Sequence, residues 1–565
     1  MNQKSVLFPL SLPYWVLFVC FWLVGFCAYL PSVEGKFTSD VYSWIGTYKE
    51  MGWSGLWTSF GDPGYHPVYH LLTFGLYQSV GLSAWIWQLV FVGLHAMNAY
   101  FLSRLLAYIL MLYRANNQVS LLPIFFISTL AGLLFLLSPY QTEAVVWGAT
   151  IHYLVCVLGL LSSLFYACCF VIEQKNRFAF FSFIGFAIAL YSLELALVQP
   201  VLWVLFLIFV LLPRISTSFV KKGVFAILFP QILLIVLFFL QHKYLYGKWI
   251  GHYGAETHLS FSLNKTIGAF NQYLLKFFTY FRYWTIESKK ILLESITGQT
   301  AVIITLLLVV MAGFYLIFYV AKTFRNRKKQ VLQVIKRPFY LQLIIVFFAA
   351  FAVALLPVIN LELTSLQNLQ SDRYGYFASV FFYGGFTLLI AALFKEKVGA
   401  ILLIVLCGIS SVLLWNTSHI WKEAGQTING LIADYRWMDT ENVFVLNLPD
   451  NYKGAYLYRN GFRESLEEYH GRSIAGNIER VAWYNMLEPT DSVTVEVIDD
   501  ENLKVELVKW GRWWWYYGGG ASSYENETQR FNLKGIEYEL LLKNLDKEKT
   551  AVIYQCGNQW REVAF

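Results

Sequence analysis

Charge is what this chain has least of. Only 14% of its 565 residues are Asp, Glu, Lys or Arg, while 57% are hydrophobic and 18% aromatic. A soluble domain carries roughly 25% charged residues, so a water-soluble enzyme throughout is excluded. Disordered, collagen-like and disulfide-scaffold chains fail on the same figures. Cysteine is scarce and badly placed for bridging. Cys20, Cys27, Cys156, Cys168, Cys169 and Cys407 lie in apolar runs, and Cys556 stands alone in the last part of the chain, which therefore holds no internal disulfide. No CxxC or Cys/His metal spacing occurs. A P-loop, a GxGxxG after a strand, an HExxH and a G-x-S-x-G elbow are also missing. Nucleotide-sugar chemistry on a cytoplasmic Rossmann domain is thereby excluded.

The charges that are present divide by position. Residues 1–434 hold 28 Lys/Arg and 15 Asp/Glu, whereas residues 435–565 hold 15 and 21. That split describes a membrane body with a soluble, mildly acidic tail. The basic excess then reports orientation and gives no reason to expect nucleic acid. Taking about 20 apolar residues per span, eleven spans are expected, at 6–30, 85–112, 121–138, 151–172, 178–192, 196–212, 224–241, 299–321, 339–357, 374–394 and 398–415. The first, with no A-x-A cleavage site after it, reads as an uncleaved span. Lys/Arg cluster in alternate loops (Arg114; Lys175 and Arg177; Arg214, Lys221 and Lys222; Lys322 to Arg337; Lys395 and Lys397), which the positive-inside rule makes cytoplasmic. The N-terminus is then inside and the tail outside. The outer loops are 31–84, 242–298 and 358–373.

The fold class expected is thus a polytopic α-helical membrane protein with a C-terminal soluble β-rich domain. Its membrane part covers 1–415, a linker 416–440 and the β-rich domain 441–565. In that domain Val493–Ile498 and Leu503–Trp510 alternate around Asp499-Asp500-Glu501-Asn502, a hairpin signal. Val443–Leu448 and Ala551–Gln555 read as strands and Arg463–Tyr469 as a short helix. The aromatic stretch from Trp510 to Gly520 is either a sugar-stacking platform or a belt resting on the membrane interface.

Isolated ionisable groups at a membrane lip are expensive and point to function. Asp40 follows the first span and precedes a short interfacial helix. A carboxylate there suits a general base, or an acid satisfying free N–H groups at a helix start. Glu143 is the sole charge between Arg114 and Glu173, and Glu194 is equally isolated between two spans. Each is either a site acid or a solvated or hydrogen-bonded structural one. Arg373, just before the tenth span, suits bidentate phosphate binding or an internal pair with Asp372. Loop 242–298 is rich in bases, among them Lys248, Lys276 and Arg282, and suits anionic lipid phosphate. The bland alternative there is a solvated amphipathic helix at 263–284.

Five segments resemble motifs of one set of enzymes. Asp40 matches an acid in the first outer loop. Ser138-Pro139-Tyr140-Gln141-Thr142-Glu143-Ala144-Val145 resembles a His-Pro-x-x-Thr-Glu-Ala-Val run. Ser192-Leu193-Glu194 stands for Ser-Lys-Glu, and Asp372-Arg373-Tyr374-Gly375-Tyr376-Phe377-Ala378-Ser379 for Glu-Arg-Tyr-x-Tyr-x-Pro-Ser. Tyr65-His66-Pro67-Val68-Tyr69 resembles Tyr-Arg-Pro-Leu, and Thr150-Ile151-His152-Tyr153 stands where Gly-Arg-x-Asp is usual. The region 1–415 therefore resembles membrane glycosyltransferases of the GT-C fold, in particular the transmembrane part of tetratricopeptide-containing protein O-mannosyltransferases and their bacterial relatives. No tetratricopeptide repeats follow.

The resemblance implies an inverting glycosyltransferase that takes a sugar from a polyprenyl-phosphate donor to a protein or glycan acceptor on the non-cytoplasmic face. It places catalysis on Asp40, Glu143 and Glu194, and substrate binding on Arg373, Tyr374, His66 and His152; Lys248 and Arg282, from the basic excess of loop 242–298, are expected to help bind the donor phosphate. The lipid-linked sugar is a co-substrate. A divalent ion on the acids is compatible with this chemistry, although no ligand spacing argues for one. Partners are the donor, the acceptor and membrane lipids, with no nucleic acid. A glycan polymerase or ligase using a lipid-linked oligosaccharide, and a non-enzymatic transporter or envelope scaffold, are the alternatives. The missing disulfide pair and retention signal favour a bacterial inner membrane with a periplasmic tail.

Overall fold

A computed structural model describes residues 14–57, 66–114, 121–212, 217–247, 249, 262–327, 336–359, 361, 369, 371–508, 513–515, 522–543 and 546–564. Helix forms wherever the apolar runs are long, since a helix satisfies its own backbone groups where no water reaches them. The first part of the body runs through α1 (Tyr14–Tyr29), α2 (Asp40–Met51), α3 (Pro67–Val80), α4 (Ala84–Arg114), α5 (Leu121–Leu136), α6 (Thr142–Val146), α7 (Ile151–Glu173), α8 (Asn176–Leu190) and α9 (Gln199–Phe206). It continues through α10 (Thr217–Gly223), α11 (Phe229–Tyr246), α12 (Leu263–Thr279), α13 (Ile286–Thr297), α14 (Gln299–Arg327), α15 (Lys336–Leu355), α16 (Tyr376–Leu393) and α17 (Glu396–Asp434).

Among the described residues, eight helical segments are long and apolar enough to cross a membrane. They are Trp15–Gly35, Ala84–Leu112, Gly148–Glu173, Glu194–Leu211, Ser218–Tyr246, Gln299–Tyr319, Asp372–Leu393 and Glu396–Asp434. A ninth is broken, bending 53° between Pro123–Leu136 and Pro139–Val146, and Asn176–Leu190 and Tyr340–Leu355 are shorter apolar helices. In their described residues the eleven expected segments are thus largely helical but unequal in length. The break falls at Ser138-Pro139, where proline has no N–H to continue the helix and Ser138 is extended, its Oγ capping the Tyr140 N–H at 3.3 Å. Ile303, Leu307, Leu308 and Met311 on α14, and Val236, Leu237 and Leu240 on α11, are exposed. So much exposed apolar surface, on helices long enough to cross a bilayer, is the character of a membrane protein.

Residues 416–434, expected as linker, continue α17 instead. This helix presses on the turn Leu30–Gly35, so closely that a Cβ at Gly425 would lie 1.9 Å from the Glu34 carbonyl oxygen. It carries the tail against α2, which the tail helix Phe462–His470 contacts.

The tail contains β1 (Asn442–Val445), β2 (Leu448–Tyr452), β3 (Ala455–Tyr456), α18 (Phe462–His470), β4 (Asn477–Arg480), β5 (Ala482–Met486), β6 (Val493–Val497) and β7 (Asn502–Leu507). After these come β8 (Trp513–Trp515), β9 (Ser523–Glu525), β10 (Gln529–Lys534), β11 (Glu537–Leu542), β12 (Thr550–Cys556) and β13 (Gln559–Glu562). Three sheets result, ordered β13-β12-β1-β4, β6-β7-β11-β10-β9 and β3-β2-β5-β8. The β6–β7 hairpin forms as read, Val493 opposite Leu507, with Asp499 Oδ1 accepting the Glu501 and Asn502 N–H groups in the turn. Of the aromatic stretch, Trp513–Trp515 pair with β5, Trp514 opposite Trp483, and its other residues lie outside the described ones.

Candidate functional site

The chain leaves α1 through the turn Leu30–Gly35 and is then stapled to the segment after the broken span. Lys36 Nζ donates to the Val145 carbonyl at 2.8 Å, Gly148 N–H to the Lys36 carbonyl at 2.9 Å and Trp147 Nε1–H to the Thr38 carbonyl at 3.1 Å. Lys36 is fully buried and its ammonium lies 4.0 Å from the Phe91 ring centre. Ser39 takes a positive φ of 51° and turns the chain into α2, whose first residue is Asp40. A helix start favours a carboxylate, because the unpaired N–H groups and the helix dipole both stabilise negative charge. Asp40 Oδ1 accepts from Asn460 Nδ2 at 2.5 Å and Ser39 Oγ at 3.3 Å. No described residue donates to Oδ2, and the side chain is half-buried.

Asn460 belongs to the tail, 420 residues away. Its neighbour Gly461 has φ +74°, and a Cβ there would lie 2.6 Å from the Ser39 carbonyl oxygen and 2.9 Å from the Ser43 nitrogen. Only glycine lets the tail loop approach this helix start so closely.

Glu143 and Arg373 meet across 230 residues. Glu143, on α6, is buried; it forms an ion pair with the Arg373 guanidinium and accepts the Arg373 backbone N–H at 2.7 Å. The guanidinium lies over Tyr374, Trp147 and Tyr456, with 4.6, 5.4 and 5.8 Å to the ring centres. It also donates to the Tyr374 hydroxyl at 3.0 Å and the Tyr456 hydroxyl at 3.4 Å. The internal pair of Arg373 with Asp372 does not form. Asp372, fully buried, instead takes both Lys276 and Arg282, and Arg282 also donates to the Pro139 carbonyl at 3.3 Å and covers Tyr140 at 4.6 Å. Helix 263–279 is therefore not simply a solvated amphipathic helix, since Lys276 sits on its buried face beside Tyr273 and Phe277. Burial pulls the Lys276 ammonium below the usual lysine range, and Asp372 opposes that shift.

Glu194 pairs with His66, Oε2 to Nε2 at 3.4 Å. The His66 ring stacks on His152 at 6.4 Å, His152 meets Tyr69 at 4.6 Å, and Tyr69 meets Trp44 of α2 at 5.9 Å. Tyr69 and His70 lie on α3, which is not among the spanning segments. Burial raises the Tyr69 phenol well above its usual range, Tyr48 and Asp40 adding to it, and burial with His66 nearby lowers His70 to about 3.

Eight of the nine expected site residues thus line one connected region at the ends of different helices. Lys248 lies outside the described residues, as do Asp62 to Tyr65. Three cations, Arg373, Arg282 and Lys276, face two carboxylates, Glu143 and Asp372, leaving one positive charge over. Lys36 does not add to it, because burial with no carboxylate partner among the described residues pulls its ammonium well below the usual lysine range. Such a surplus beside a half-buried carboxylate can hold an anion while a nearby hydroxyl loses its proton. Among the described residues no three His, Cys, Asp or Glu side chains are grouped to hold a metal ion. Sequence reasoning missed the roles of Asp372, Lys276, Asn460 and Tyr456. Lys276 left a signal, a lysine on the apolar stripe of a helix; Asn460 left only a turn-like Asn-Gly. No protein-family model matches the chain, and no curated protein matches it.

Proposed function

We propose that the protein is a membrane-embedded, inverting glycosyltransferase that moves a sugar from a polyprenyl-phosphate donor to an acceptor on the non-cytoplasmic face. What supports this reading most is one convergence. Asp40, Glu143, Arg373 and Glu194 come from the ends of four separate apolar segments and His66 from the start of α3. Contacts from Trp147 to Thr38 and from His152 through Tyr69 to Trp44 tie them into one region. In this reading Asp40 Oδ2 takes the acceptor hydroxyl proton as the acceptor oxygen bonds to the sugar C1. The C1–O bond to phosphate breaks on the opposite face, and the phosphate leaves with the electron pair. Charge growing on it is stabilised by the cation surplus around Arg373. The leaving phosphate needs no general acid. Glu143 orients Arg373, and Glu194 orients His66.

The eleven apolar helices are read as eleven spans, with the N-terminus inside and the tail in the periplasm of a bacterial inner membrane. The test uses purified full-length protein, a panel of radiolabelled polyprenyl-phosphate monosaccharides, a radiolabelled polyprenyl-pyrophosphate oligosaccharide as second donor class, and a membrane extract as acceptor pool. Label passing to the extract is expected with one donor of the panel. Transfer only from pyrophosphate-linked oligosaccharide would make the protein a polymerase or ligase. No transfer from either donor class would favour a transporter or scaffold.

A further inference from the structure

Beside Asp40 the body and the tail enclose a polar cleft of about 280 Å³, lined by Ser43 on α2 and by Asn460, Arg463, Glu464 and Arg480 of the tail. Asp40 is not itself a lining residue, but Asn460 lines the cleft and donates to Asp40 Oδ1, and Ser43 lies one turn after Asp40 on α2, so the carboxylate stands at the edge of the cleft. Its walls are fixed. Gly461 is pressed onto the start of α2. Arg463 donates to the Ile474 carbonyl at 2.7 Å, the Gly476 carbonyl at 3.2 Å and Glu467 at 3.1 Å. The volume lies just under the roughly 300–1,000 Å³ of sites for drug-sized ligands, which fits about one sugar ring. The lining mixes donors (Asn460, Arg463, Arg480) with acceptors (Glu464, Ser43), as a ring of hydroxyl groups requires, since each hydroxyl both donates and accepts.

We propose that this cleft is the acceptor subsite and that it takes the terminal sugar ring of a glycan, presenting one ring hydroxyl to Asp40. The inference rests on the transferase reading. It deepens that reading by choosing a glycan over a protein acceptor. In the step, the ring hydroxyl gives its proton to Asp40 and its oxygen to C1 of the donor sugar, and the donor phosphate leaves.

The test measures binding and transfer separately on full-length protein in detergent. Binding probes are methyl α-mannoside, methyl β-glucoside, methyl β-N-acetylglucosaminide and an amidated Ser/Thr tripeptide, read by saturation-transfer NMR and titration. Saturable binding of at least one glycoside is expected. Arg480→Gln should weaken it about tenfold through loss of a charged donor, and Ser43→Trp should abolish it by filling the cleft. Arg561→Gln, exposed on β13 and no part of the cleft, should leave it unchanged. Absence of glycoside binding, binding indifferent to both cleft variants, or preference for the tripeptide overturns the inference. If sugar transfer persists in any of those cases, the transferase reading survives without it. Glycoside binding with no transfer from any donor would leave the cleft standing and remove the transferase reading.

Discussion

Removing the Asp372 carboxylate should unfold the body more than any surface change. Asp372 is fully buried and holds Lys276 and Arg282, which are themselves almost fully buried. With Glu143 and Arg373 the cluster carries three positive and two negative charges; Asp372→Asn raises its surplus from one to two. A buried pair broken on one side costs about 3–5 kcal/mol, because an uncompensated charge is left in a poor solvent. That is a large part of the ~5–15 kcal/mol of a typical fold. The assay is denaturant unfolding in detergent followed by tryptophan fluorescence, with Asp439→Asn as control. Asp439 pairs with Arg472 on the surface, where such pairs contribute little. Adding Lys276→Met to Asp372→Asn returns the surplus to one and should recover about 0.5–3 kcal/mol through coupling of the two sites. If Asp372→Asn unfolds like Asp439→Asn, the cluster is not the buried, charge-balanced unit described here.

Three further outcomes are expected. Gly461→Ala must hold a side chain at φ +74° against the Ser39 backbone; the left-handed conformation alone costs about 1–2 kcal/mol. Amide exchange at Asn460 should therefore speed up, and unchanged protection would contradict the docking. His70 titrates near 3 when folded, below its ordinary 6.5, so the unfolded chain binds the proton first and stability falls as pH drops from about 6.5 toward 3. The slope it adds is about 1.4 kcal/mol per pH unit. His70→Gln should flatten that limb of the stability–pH curve, whereas parallel curves would speak against it. Arg373→Lys keeps the charge but cannot reach Glu143 and the Tyr374 hydroxyl with two nitrogens at once and loses the contact over three rings, so transfer should fall about 10- to 100-fold; near-normal transfer would remove Arg373 from the site.

Much of the architecture is legible along the chain because it rests on local signals. Apolar runs predict helices that the structure contains, and the alternation around Asp499 predicts the β6–β7 hairpin. A span's length is less legible. The bend at Ser138-Pro139 and the continuation of α17 to Asp434 depend on what packs against them, as Gly425 against Glu34 shows. Asp40, Glu143, Glu194 and Arg373 stand out as isolated charges, but their partners do not. The sequence offers Arg373 a phosphate or its neighbour Asp372 as partner, and gives no sign of Glu143, 230 residues away, because only tertiary packing decides that pairing. Asn460 reaches Asp40 across 420 residues, a contact with no period and no spacing to betray it. The same holds for β1, which pairs in parallel with β4 and β12 from opposite ends of the tail.

The central claim is that the Asp40 carboxylate takes the acceptor proton. It is tested most directly by single-turnover transfer of radiolabelled sugar from the polyprenyl-phosphate donor, with wild type and Asp40→Asn side by side. Asparagine keeps the shape and the contact with Asn460 but cannot accept a proton. The account predicts donor binding unchanged and transfer slower by about 10²–10⁴-fold. Equal rates for the two proteins would contradict it.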